Sequence, residues 1–380
     1  MESNIKSFFY HYNNFIEASL VGKNYTTQQI YDLLNKIKSN KIFSVRKIGT
    51  SVENRPIYSV TFGRGKTKIL AWSQMHGDEP TATRVFFDFL NFLQLPENKD
   101  FFEQILSRST INFIPQLNPD GTELNIRENA LGIDINRDAA TLISPEARIL
   151  NKTFSKFKPH FSLNLHDQDC YHSVGDSQEP VWLSFLATVP DAKKQNTPAR
   201  KRSINVIGKT CFQLKKSGIK NITRYNDEYE PRAFGDNFAK QGSSVILIEA
   251  GCAEKSKNKS FERKLFFSAF VQIIQNIIDY DKTDYSKHYN SLPENKDRML
   301  DFILDDVKLS GKFNVSIGVK ENKIEAVGDL SVYGCYERIS AKGLIFEGKS
   351  LPGGKANFKL IDKTGNIVLT SKNGNLKWAK

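Results

Sequence analysis

The sequence lacks any long hydrophobic run. Among its 380 residues, no segment approaches the roughly 18 consecutive apolar residues that a membrane-spanning helix needs. The first twenty residues, MESNIKSFFYHYNNFIEASL, contain an early acidic residue and scattered polar ones, with no apolar core of signal-peptide length. We therefore expect no membrane span, and we expect a cytoplasmic location.

Cysteine is scarce. The four cysteines stand far apart, and no two of them form a CxxC pair. This spacing excludes a zinc ribbon and a dense disulfide framework, and it agrees with a reducing compartment.

Acidic residues are outnumbered, since 54 Lys and Arg face 42 Asp and Glu for a net charge of +12. The basic residues are spread along the whole chain, and acids interrupt nearly every basic run. The densest cluster, DAKKQNTPARKRS, lies in a polar, proline-containing stretch typical of a surface loop. Because no recognition motif accompanies it, we expect no nucleic-acid partner. A non-catalytic protein that binds an acidic polymer stays open as an alternative.

Residues 1–285 alternate apolar strands with amphipathic helices. This pattern predicts an α/β domain with a largely parallel sheet that is covered on both faces. The predicted strands include KTKILAWSQM, STINFIPQL, HFSLNLHD and SSVILIEAG, and the predicted helices include PTATRVFFDFLNFLQL, PEARILNKTFSKF and FERKLFFSAFVQIIQNIIDY.

The composition changes near residue 280. The segment DYDKTDYSKHYNSLPENKDR is polar and charged, which is typical of a linker. Residues 296–380 alternate apolar and polar side chains at period two, with Gly and Asn at the turns, and so predict a small antiparallel β domain, either a sandwich or an open barrel. This domain is either a packing or lid module or a separate ligand-binding domain.

Polar side chains follow four of the predicted strands. His76 and Glu79 come after KILAWSQM, Asn118 follows INFIPQL, His166 ends FSLNL and Glu249 ends SVILI. The carboxyl ends of parallel strands meet at one edge of a sheet, where α/β proteins bind their ligands. We therefore expect these residues to lie together.

His76 and Glu79 are suitable ligands for a metal ion. A catalytic zinc site needs three protein ligands and keeps a fourth position for water. His166 is the preferred third ligand, and His172, deeper in a loop beside Cys170, is its rival. We expect structural roles for the other histidines, His11, His160 and His288.

A hydrolytic metal site also needs a proton acceptor. Glu249 stands where a very apolar strand meets a glycine, and a buried carboxylate there is costly without a partner or a purpose. A structural salt bridge is the alternative.

The polar segment NPDGTELNIRENALGIDINRDAA carries further candidates. Arg127, Asn136 and Arg137 in this segment predict an anion-binding pocket, because arginine holds carboxylates and stabilises oxyanions. Asp134 is placed to orient a metal-bound imidazole.

Together these motifs resemble the zinc carboxypeptidase family. The similarity runs from about residue 25 to residue 280 and rests on five features that occur in the family's order: HGDE, NPDG, GIDINR, the later His166 and the strand-terminal Glu249. The resemblance implies an α/β/α sandwich with a mixed, mostly parallel sheet. It also implies an enzyme that removes C-terminal residues from peptides.

By position, the resemblance makes His76, Glu79 and His166 the ligands of one Zn²⁺ ion and Glu249 the general base. Asn136 and Arg137 match the pair that holds the terminal carboxylate of the substrate, and Arg127 matches the arginine that polarises the scissile carbonyl. The loop around Arg127 is shorter than in digestive members. The family's mobile tyrosine is either Tyr225 or Tyr229, and the sequence does not decide between them.

Acylamino-acid hydrolases of the aspartoacylase and succinylglutamate desuccinylase kind are the alternative on a similar scaffold. They share an HGxE turn and a later histidine, but the NPDG and GIDINR segments favour the peptidase. The expected substrate is a peptide, with peptidoglycan-derived peptides included. The side chain that the enzyme selects and the oligomeric state are not legible in the sequence.

Overall fold

The computed structural model of the chain describes four longer ranges, namely residues 11–22, 25–253, 259–281 and 283–309. Beyond them it describes residues 313–321, 323–328, 330–342, 345–350, 356–361, 367–372 and 375–378. The chain divides into two compact units. The first consists of Met1–Asp169 and Trp182–Glu294, and the second of Cys170–Val181 and Asn295–Lys380.

The first unit is built on an eight-stranded mixed sheet. Its strands, in spatial order, are β1 (Ser44–Thr50), β2 (Pro56–Gly63), β4 (Ser109–Ile114), β3 (Thr67–Trp72), β5 (Phe161–Asp167), β9 (Ser244–Ala250), β7 (Leu183–Ala187) and β8 (Ile222–Arg224). The central strands β4, β3, β5 and β9 are parallel to one another. The pairs β1–β2, β2–β4 and β7–β9 are antiparallel.

Nine α-helices are described in this unit. They are α1 (Thr27–Lys38), α2 (Thr81–Leu93), α3 (Lys99–Arg108), α4 (Pro119–Leu124), α5 (Pro145–Phe157), α6 (Pro198–Lys216), α7 (Phe234–Lys240), α8 (Ser260–Ile278) and α9 (Ser286–Asn290). Four of them begin with a side-chain N-cap. For example, the Ser144 side chain accepts a hydrogen bond from the backbone N–H of Ala147 at the start of α5.

Hydrophobic clusters cover both faces of the sheet. Successive side chains of a strand point to opposite faces. In β3, Ile69 and Ala71 belong to one cluster, which includes apolar side chains of α2, α6 and α8. Leu70 and Trp72 belong to the other, which includes apolar side chains of α5 and α7. The predicted sheet with apolar layers on both faces is therefore confirmed, and the continuous apolar runs of its strands have this cause.

A buried ion pair joins α2 to α8. The guanidinium of Arg263 donates to both carboxylate oxygens of Asp88, over 2.7 and 2.6 Å. The Tyr12 hydroxyl also donates to Asp88, and Arg263 donates to the backbone oxygens of Leu20 and Glu17. The network ties residues 12–20 to two core helices.

The polar segment that predicted a linker is partly helical. It contains α9, in which Tyr289 is buried and its hydroxyl accepts a hydrogen bond from the backbone N–H of Ala187 over 3.1 Å. Leu292 is buried as well. The division between the two units falls within this segment, after Glu294, and two apolar side chains anchor the part before it to the core of the first unit.

The second unit contains a short antiparallel pair and a larger sheet. The pair is β6 (His172–Val174) with β10 (Asn295–Asp297). The larger sheet has the order β13 (Lys323–Gly328), β12 (Phe313–Lys320), β11 (Met299–Leu309), β15 (Ile345–Ser350), β16 (Ala356–Ile361), β17 (Ile367–Lys372) and β18 (Asn375–Trp378), and β14 (Gly334–Ser340) also pairs with β11.

The larger sheet departs from the predicted antiparallel pattern at one strand. β11 pairs in parallel with both β14 and β15, whereas its pairing with β12 is antiparallel. At eleven residues, β11 is long enough for β14 to occupy Met299–Asp305 and for β15 to occupy Lys308–Leu309. Period-two alternation predicts strands but not the direction in which they pair.

Two of the four cysteines carry free thiols, namely Cys211 and Cys335, whereas Cys170 and Cys252 are disulfide-bonded. Wide spacing along the chain does not reveal such a bond. Disulfides are typical of oxidising compartments, so the cytoplasmic location stays a prediction. Within the described residues, no helix combines the length and the apolar character needed to cross a bilayer.

Candidate metal centre and substrate groove

The turn after β3 carries two of the predicted metal ligands. Its backbone is unusual at Gln74, which has a positive φ of 44°, a conformation that costs free energy unless neighbours enforce it. The Tyr25 hydroxyl donates to the Gln74 side-chain oxygen over 2.7 Å, and the Gln74 amide donates to the backbone oxygen of Gly77 over 3.0 Å. These bonds fix the turn from which His76 and Glu79 project.

His76, Glu79 and His166 converge. The two Glu79 oxygens lie 2.7 Å from His76 Nδ1 and 2.7 Å from His166 Nδ1. One possible ligand atom from each of the three residues lies within 4.8 Å of the other two. In the part of the chain that the structure describes, no other His, Cys, Asp or Glu residues form a group of three that could hold a metal ion. Two imidazoles and a carboxylate are the donor set of catalytic zinc sites, so the residues present fit that ion.

The electrostatics of the three side chains also suit a cation. Burial works against the ionised form of Glu79, but the neighbouring His76 and His166 lower the pKa of this carboxyl well below its usual range. Burial lowers the pKa of His166. Burial acts in the same direction on His76, but Glu79 and Asp134 outweigh it and raise the pKa of this imidazole to about 9. Without a metal ion, the cluster therefore holds a proton where a cation would bind.

Asp134 and Arg127 lie beside the cluster. Asp134 Oδ1 is 3.1 Å from His76 Nε2, the ring nitrogen that faces away from Glu79. The guanidinium of Arg127 donates to Asp134 Oδ2 through Nε over 3.1 Å and through Nη2 at 3.0 Å. Arg127 Nη1 lies 3.2 Å from His76 Nδ1 and 3.5 Å from Glu79 Oε1. The arginine is thus held at the metal-binding side of the cluster.

The NPDG segment is not a simple turn, since it begins helix α4. A Cβ atom added to Gly77 would lie 2.0 Å from the carbonyl carbon of Gly121, the last residue of NPDG. A Cβ on Gly121 would lie 2.4 Å from the Asn118 amide. The turn of His76 and the start of α4 therefore touch through bare backbone at Gly77, where a side chain would separate them. Glycine is required at position 121 because a side chain there would collide with Asn118 and with the backbone oxygen of Glu128.

Asn118 connects the two motifs. Its side-chain oxygen caps α4 by accepting from the backbone N–H of Gly121 over 2.9 Å. Its amide donates to the backbone oxygens of Met75 at 3.3 Å, Arg127 at 3.3 Å and Glu128 at 3.1 Å. One side chain therefore holds the residue before His76 and the backbone of Arg127 at a fixed separation.

Glu249 lies beside His166 in the sheet. The two residues are partners in the parallel register of β5 and β9, so their side chains point to the same face. Burial, followed by the negative charges of Glu79 and Asp167, raises the pKa of Glu249 well above its usual range. A carboxylate with these neighbours accepts a proton more readily than one in water.

Asn136 and Arg137 end a short 3-10 helix, Ile135–Arg137. The Asn136 side-chain oxygen accepts a hydrogen bond from the backbone N–H of Phe234 over 3.1 Å, and this orients its amide nitrogen the other way. Arg137 donates to the Asn136 backbone oxygen over 3.0 Å, and its Nε lies 3.6 Å from Glu230. The Arg137 side chain is 41% exposed, so it is open to a ligand.

Glu230 is a site neighbour that sequence reasoning missed. Hydrogen bonds from Arg232 are the main cause that lowers the pKa of Glu230 to about 2, and the charge of Arg137 contributes. The segment YEPRA, in which Glu230 lies, gives no indication in the sequence that this residue is near the site.

Of the two candidate tyrosines, Tyr225 lies in the electrostatic field of the site. The negative charge of Glu249, followed by burial, raises the pKa of the Tyr225 hydroxyl. The backbone N–H of Tyr225 donates to Phe185 over 2.9 Å, which places it directly beyond β8. Tyr229 lies four residues later in the segment that leads to α7.

The remaining histidines lie elsewhere. His160 Nδ1 accepts a hydrogen bond from the backbone N–H of Lys68 over 3.0 Å, and the His288 ring packs 4.8 Å from Phe212. His172 belongs to β6 of the second unit, and His11 is exposed. The structural roles expected for His160 and His288 agree with these contacts.

Comparisons with known proteins show which family and fold the chain is similar to. Residues 30–181 match the family model of the zinc carboxypeptidases, Peptidase_M14. A probable carboxypeptidase 2 of Trichophyton verrucosum is 26% identical over 191 residues, which are 50% of this chain and 35% of that protein. Carboxypeptidase E of Caenorhabditis elegans is 30% identical over 129 residues, covering 28% of this chain and 27% of that protein. The chain thus spans about a third of these curated relatives or less.

Solved structures share the fold. A metallo-carboxypeptidase from Burkholderia cenocepacia superposes with a TM-score of 0.53 at 18% identity, over 67% of this chain and 70% of that one. Bovine thrombin-activatable fibrinolysis inhibitor, solved with a tick carboxypeptidase inhibitor, gives a TM-score of 0.53 at 12% identity, over 68% of this chain and 98% of that one. These likenesses establish the fold alone. Residues 30–181 thus match the zinc carboxypeptidase family model, and the chain has the carboxypeptidase fold.

Proposed function

We propose that the chain is a zinc-dependent metallocarboxypeptidase that hydrolyses the C-terminal peptide bond of peptides, with peptidoglycan-derived peptides among the possible substrates. The proposal rests on one observation above all. Three metal-donor side chains converge, and the carboxylate of Glu249 is paired in register with one of them, His166. The family match favours this activity over the acylamino-acid hydrolase alternative.

In this proposal His76, Glu79 and His166 hold the ion. Bound zinc supplies Lewis acidity and lowers the pKa of a water molecule that it holds. Asp134 accepts the Nε2 proton of His76, and this fixes the tautomer in which Nδ1 is free to bind the metal.

Glu249 is the proposed proton acceptor. Its carboxylate takes a proton from the attacking water and gives it to the nitrogen of the departing amine as the peptide bond breaks. Two features of the protein support this role. Glu249 is 7% exposed, so bulk water does not compete for its proton, and its buried, negatively charged surroundings strengthen it as a base.

Arg127 is the proposed donor to the oxyanion that forms as water attacks the scissile carbonyl. Its guanidinium is already aimed at the donor cluster, because Asp134 holds it from one side. A preorganised donor of this kind is worth on the order of 3 kcal/mol in the transition state. The same carboxylate therefore orients both His76 and Arg127.

Asn136 and Arg137 are the proposed binding site for the terminal carboxylate of the substrate. Arg137 faces Glu230 across 3.6 Å at a half-exposed position, and exposed ion pairs are worth only about 0–1 kcal/mol. A substrate carboxylate can therefore replace Glu230 at little cost. This requirement for a free carboxylate is what would confine cleavage to the end of the chain.

The test uses the zinc-loaded chain and two matched peptides, one with a free C-terminal carboxylate and one with a C-terminal amide. We expect release of the last residue from the acid only. Glu249→Gln should keep one zinc ion per chain and lose turnover by at least about a hundredfold. Glu146→Gln is the control, because Glu146 is also fully buried but hydrogen-bonds to Asn129 and the backbone of Val52.

Two results would contradict the proposal. One is near-normal turnover in Glu249→Gln, which would remove the assigned base. The other is hydrolysis of N-acyl amino acids such as N-acetylaspartate, without hydrolysis of any peptide, which would establish the acylamino-acid hydrolase instead.

A further inference from the structure

An opening lies one layer below the proposed catalytic residues. In the sheet register, His166, Glu249 and Ser184 are neighbours across β5, β9 and β7. Two residues deeper, the register aligns Asn164, Leu247 and Leu186 in the same way. Since side chains alternate along a strand, both rows face the same side of the sheet, roughly 7 Å apart.

The exposure of Leu247 indicates that protein atoms do not completely cover the sheet face that carries His166 and Glu249. β9 is a central strand, and each of its seven residues is buried except Leu247. A partly exposed leucine in the middle of a buried strand means that the protein does not cover it. The second row is therefore accessible at Leu247.

Polar atoms beside Leu247 lack partners. Asn164 Oδ1 and Thr188 Oγ1 are both fully buried, and neither has a hydrogen-bond partner among the described residues. The two residues are only 1% and 3% exposed. Buried polar groups are rarely left unbonded, because each such group costs about 1–3 kcal/mol. Two of them in one place indicate a ligand that supplies the missing bonds.

Gly235 brings these two residues together. A Cβ on Gly235 would lie 3.4 to 3.5 Å from the Thr188 side chain and 3.7 Å from the Asn164 amide, so the start of α7 lies against both. The preceding residue, Phe234, is the one whose backbone N–H binds Asn136. The polar pair therefore lies next to the proposed carboxylate-binding residue.

This inference rests on the proposed function. A substrate with its terminal carboxylate at Asn136 and Arg137, and its scissile carbonyl at the metal ligands, places its last residue between these two sites. We infer that the side chain of that residue enters the opening over Leu247, and that Asn164 and Thr188 select a neutral hydrogen-bonding side chain, foremost the carboxamide of glutamine or asparagine.

The chemistry of the opening favours this class. Leu247 and Leu186 offer an aliphatic wall to the stem of the side chain, and Thr188 can both donate and accept a hydrogen bond. Asn164 Oδ1 accepts one. The row of Asn164, Leu247 and Leu186 contains no carboxylate, and Asp236 Oδ1 accepts a hydrogen bond from the backbone N–H of Glu230 over 3.1 Å. A carboxamide satisfies both orphaned atoms, a leucine satisfies neither, and a lysine ammonium finds no carboxylate in this row.

The test compares blocked tripeptides that differ only in their last residue: Gln, Asn, Leu, Phe, Lys or Glu. With the zinc-loaded chain we expect kcat/KM for Gln to exceed that for Leu and Lys by at least about tenfold. Thr188→Val and Asn164→Leu should each reduce the Gln-over-Leu ratio about tenfold while turnover of the Leu peptide persists. Thr188→Val is isosteric and removes an unbonded hydroxyl, so it keeps the test valid if Asn164→Leu does not fold.

Ser162→Ala is the matched control. Ser162 is on the same face of β5, two residues below Asn164, but its hydroxyl is bonded to Ser243 at 2.8 Å. We expect its Gln-over-Leu ratio to equal that of the wild type. As a readout that is independent of turnover, calorimetry on the Glu249→Gln chain should show tighter binding of the Gln peptide, and Thr188→Val in that background should remove the difference.

The outcomes separate the two proposals. If the wild type neither binds nor cleaves any peptide of the panel, the proposed function fails. If it cleaves peptides that end in leucine or lysine in preference to glutamine, or if the Thr188 and Asn164 variants keep the wild-type ratio, only the inference about selectivity is overturned. A crystal structure with only an ordered water between these two residues and the peptide side chain elsewhere would overturn it too.

Discussion

Gly77→Ala should disable the site without unfolding the protein. The new methyl group would be 2.0 Å from the carbonyl carbon of Gly121 and 2.3 Å from the backbone nitrogen of Thr122. Ordinary contacts between such atoms need about 3.4 Å or more, so the two segments must move apart by roughly 1.4 Å. Backbone atoms cannot yield as a flexible side chain can.

This displacement acts directly on the metal ligands, because Gly77 lies between His76 and Glu79. A misplacement of about 1 Å in a catalytic site costs roughly a hundredfold in rate. We therefore expect kcat/KM to fall at least about a hundredfold and the affinity for zinc to fall about tenfold or more. The assays are peptide hydrolysis with saturating zinc and a zinc titration against a competing chelator.

Gly218→Ala is the control. Gly218 also resists substitution, since its φ is +96°, but nothing lies within 4 Å of an added Cβ. It should cost about 1–2 kcal/mol of stability and leave both assays unchanged. If Gly77→Ala binds zinc and turns over like the wild type, the backbone contact between the two motifs does not position the ligands, and the reasoning fails.

Four further outcomes can be measured. Arg263→Leu leaves the Asp88 carboxylate buried without its cation and should lower the free energy of unfolding by about 3–5 kcal/mol; urea denaturation that shows less than about 1 kcal/mol would contradict this. Because the pKa of His76 is raised to about 9, zinc binding at pH 7.5 should release about one proton, and the affinity for zinc should increase as the pH rises toward 9. Calorimetry in buffers of different ionisation enthalpy measures the number of protons released. Arg137→Met should raise KM about 10- to 100-fold with a smaller effect on kcat, and steady-state kinetics with an unchanged KM would exclude its carboxylate role. The denatured, unreduced chain should react with two equivalents of a thiol reagent, and four equivalents would rule out the disulfide.

The sequence predicted where the candidate site residues meet because strand ends are local features. His76, His166 and Glu249 each follow an apolar run, and parallel pairing brings such ends to one edge. The structure places them there. Asp134 was expected to orient an imidazole, and it contacts His76 Nε2.

Contacts between distant backbones were beyond sequence reasoning. The glycines of HGDE and NPDG suggested sharp turns, whereas in the structure Gly77 is needed because the two segments touch and Gly121 because it lies against Asn118 and the backbone of Glu128. The bonds of Asn118 to Met75, Arg127 and Glu128 likewise depend on tertiary placement. No spacing rule encodes them.

The second unit was harder to foresee for another reason. Residues 170–181 were expected within the first domain, yet they belong to the second unit, in which the backbone oxygen of Tyr171 accepts hydrogen bonds from Arg298 and Met299. A short polar segment gives no sign of which distant strand it will join. The purpose of this unit stays undetermined by its sequence pattern.

The register of β5 and β9 affects how the candidate site tolerates change. His166 and Glu249 are anchored on adjacent hydrogen-bonded strands, so the separation of their backbones is set by the interstrand distance of about 4.8 Å. Loops around the candidate site can lengthen, shorten or adopt new sequences without altering that interval. Changes in those loops can therefore alter what the candidate site binds while the spacing of His166 and Glu249 stays constant.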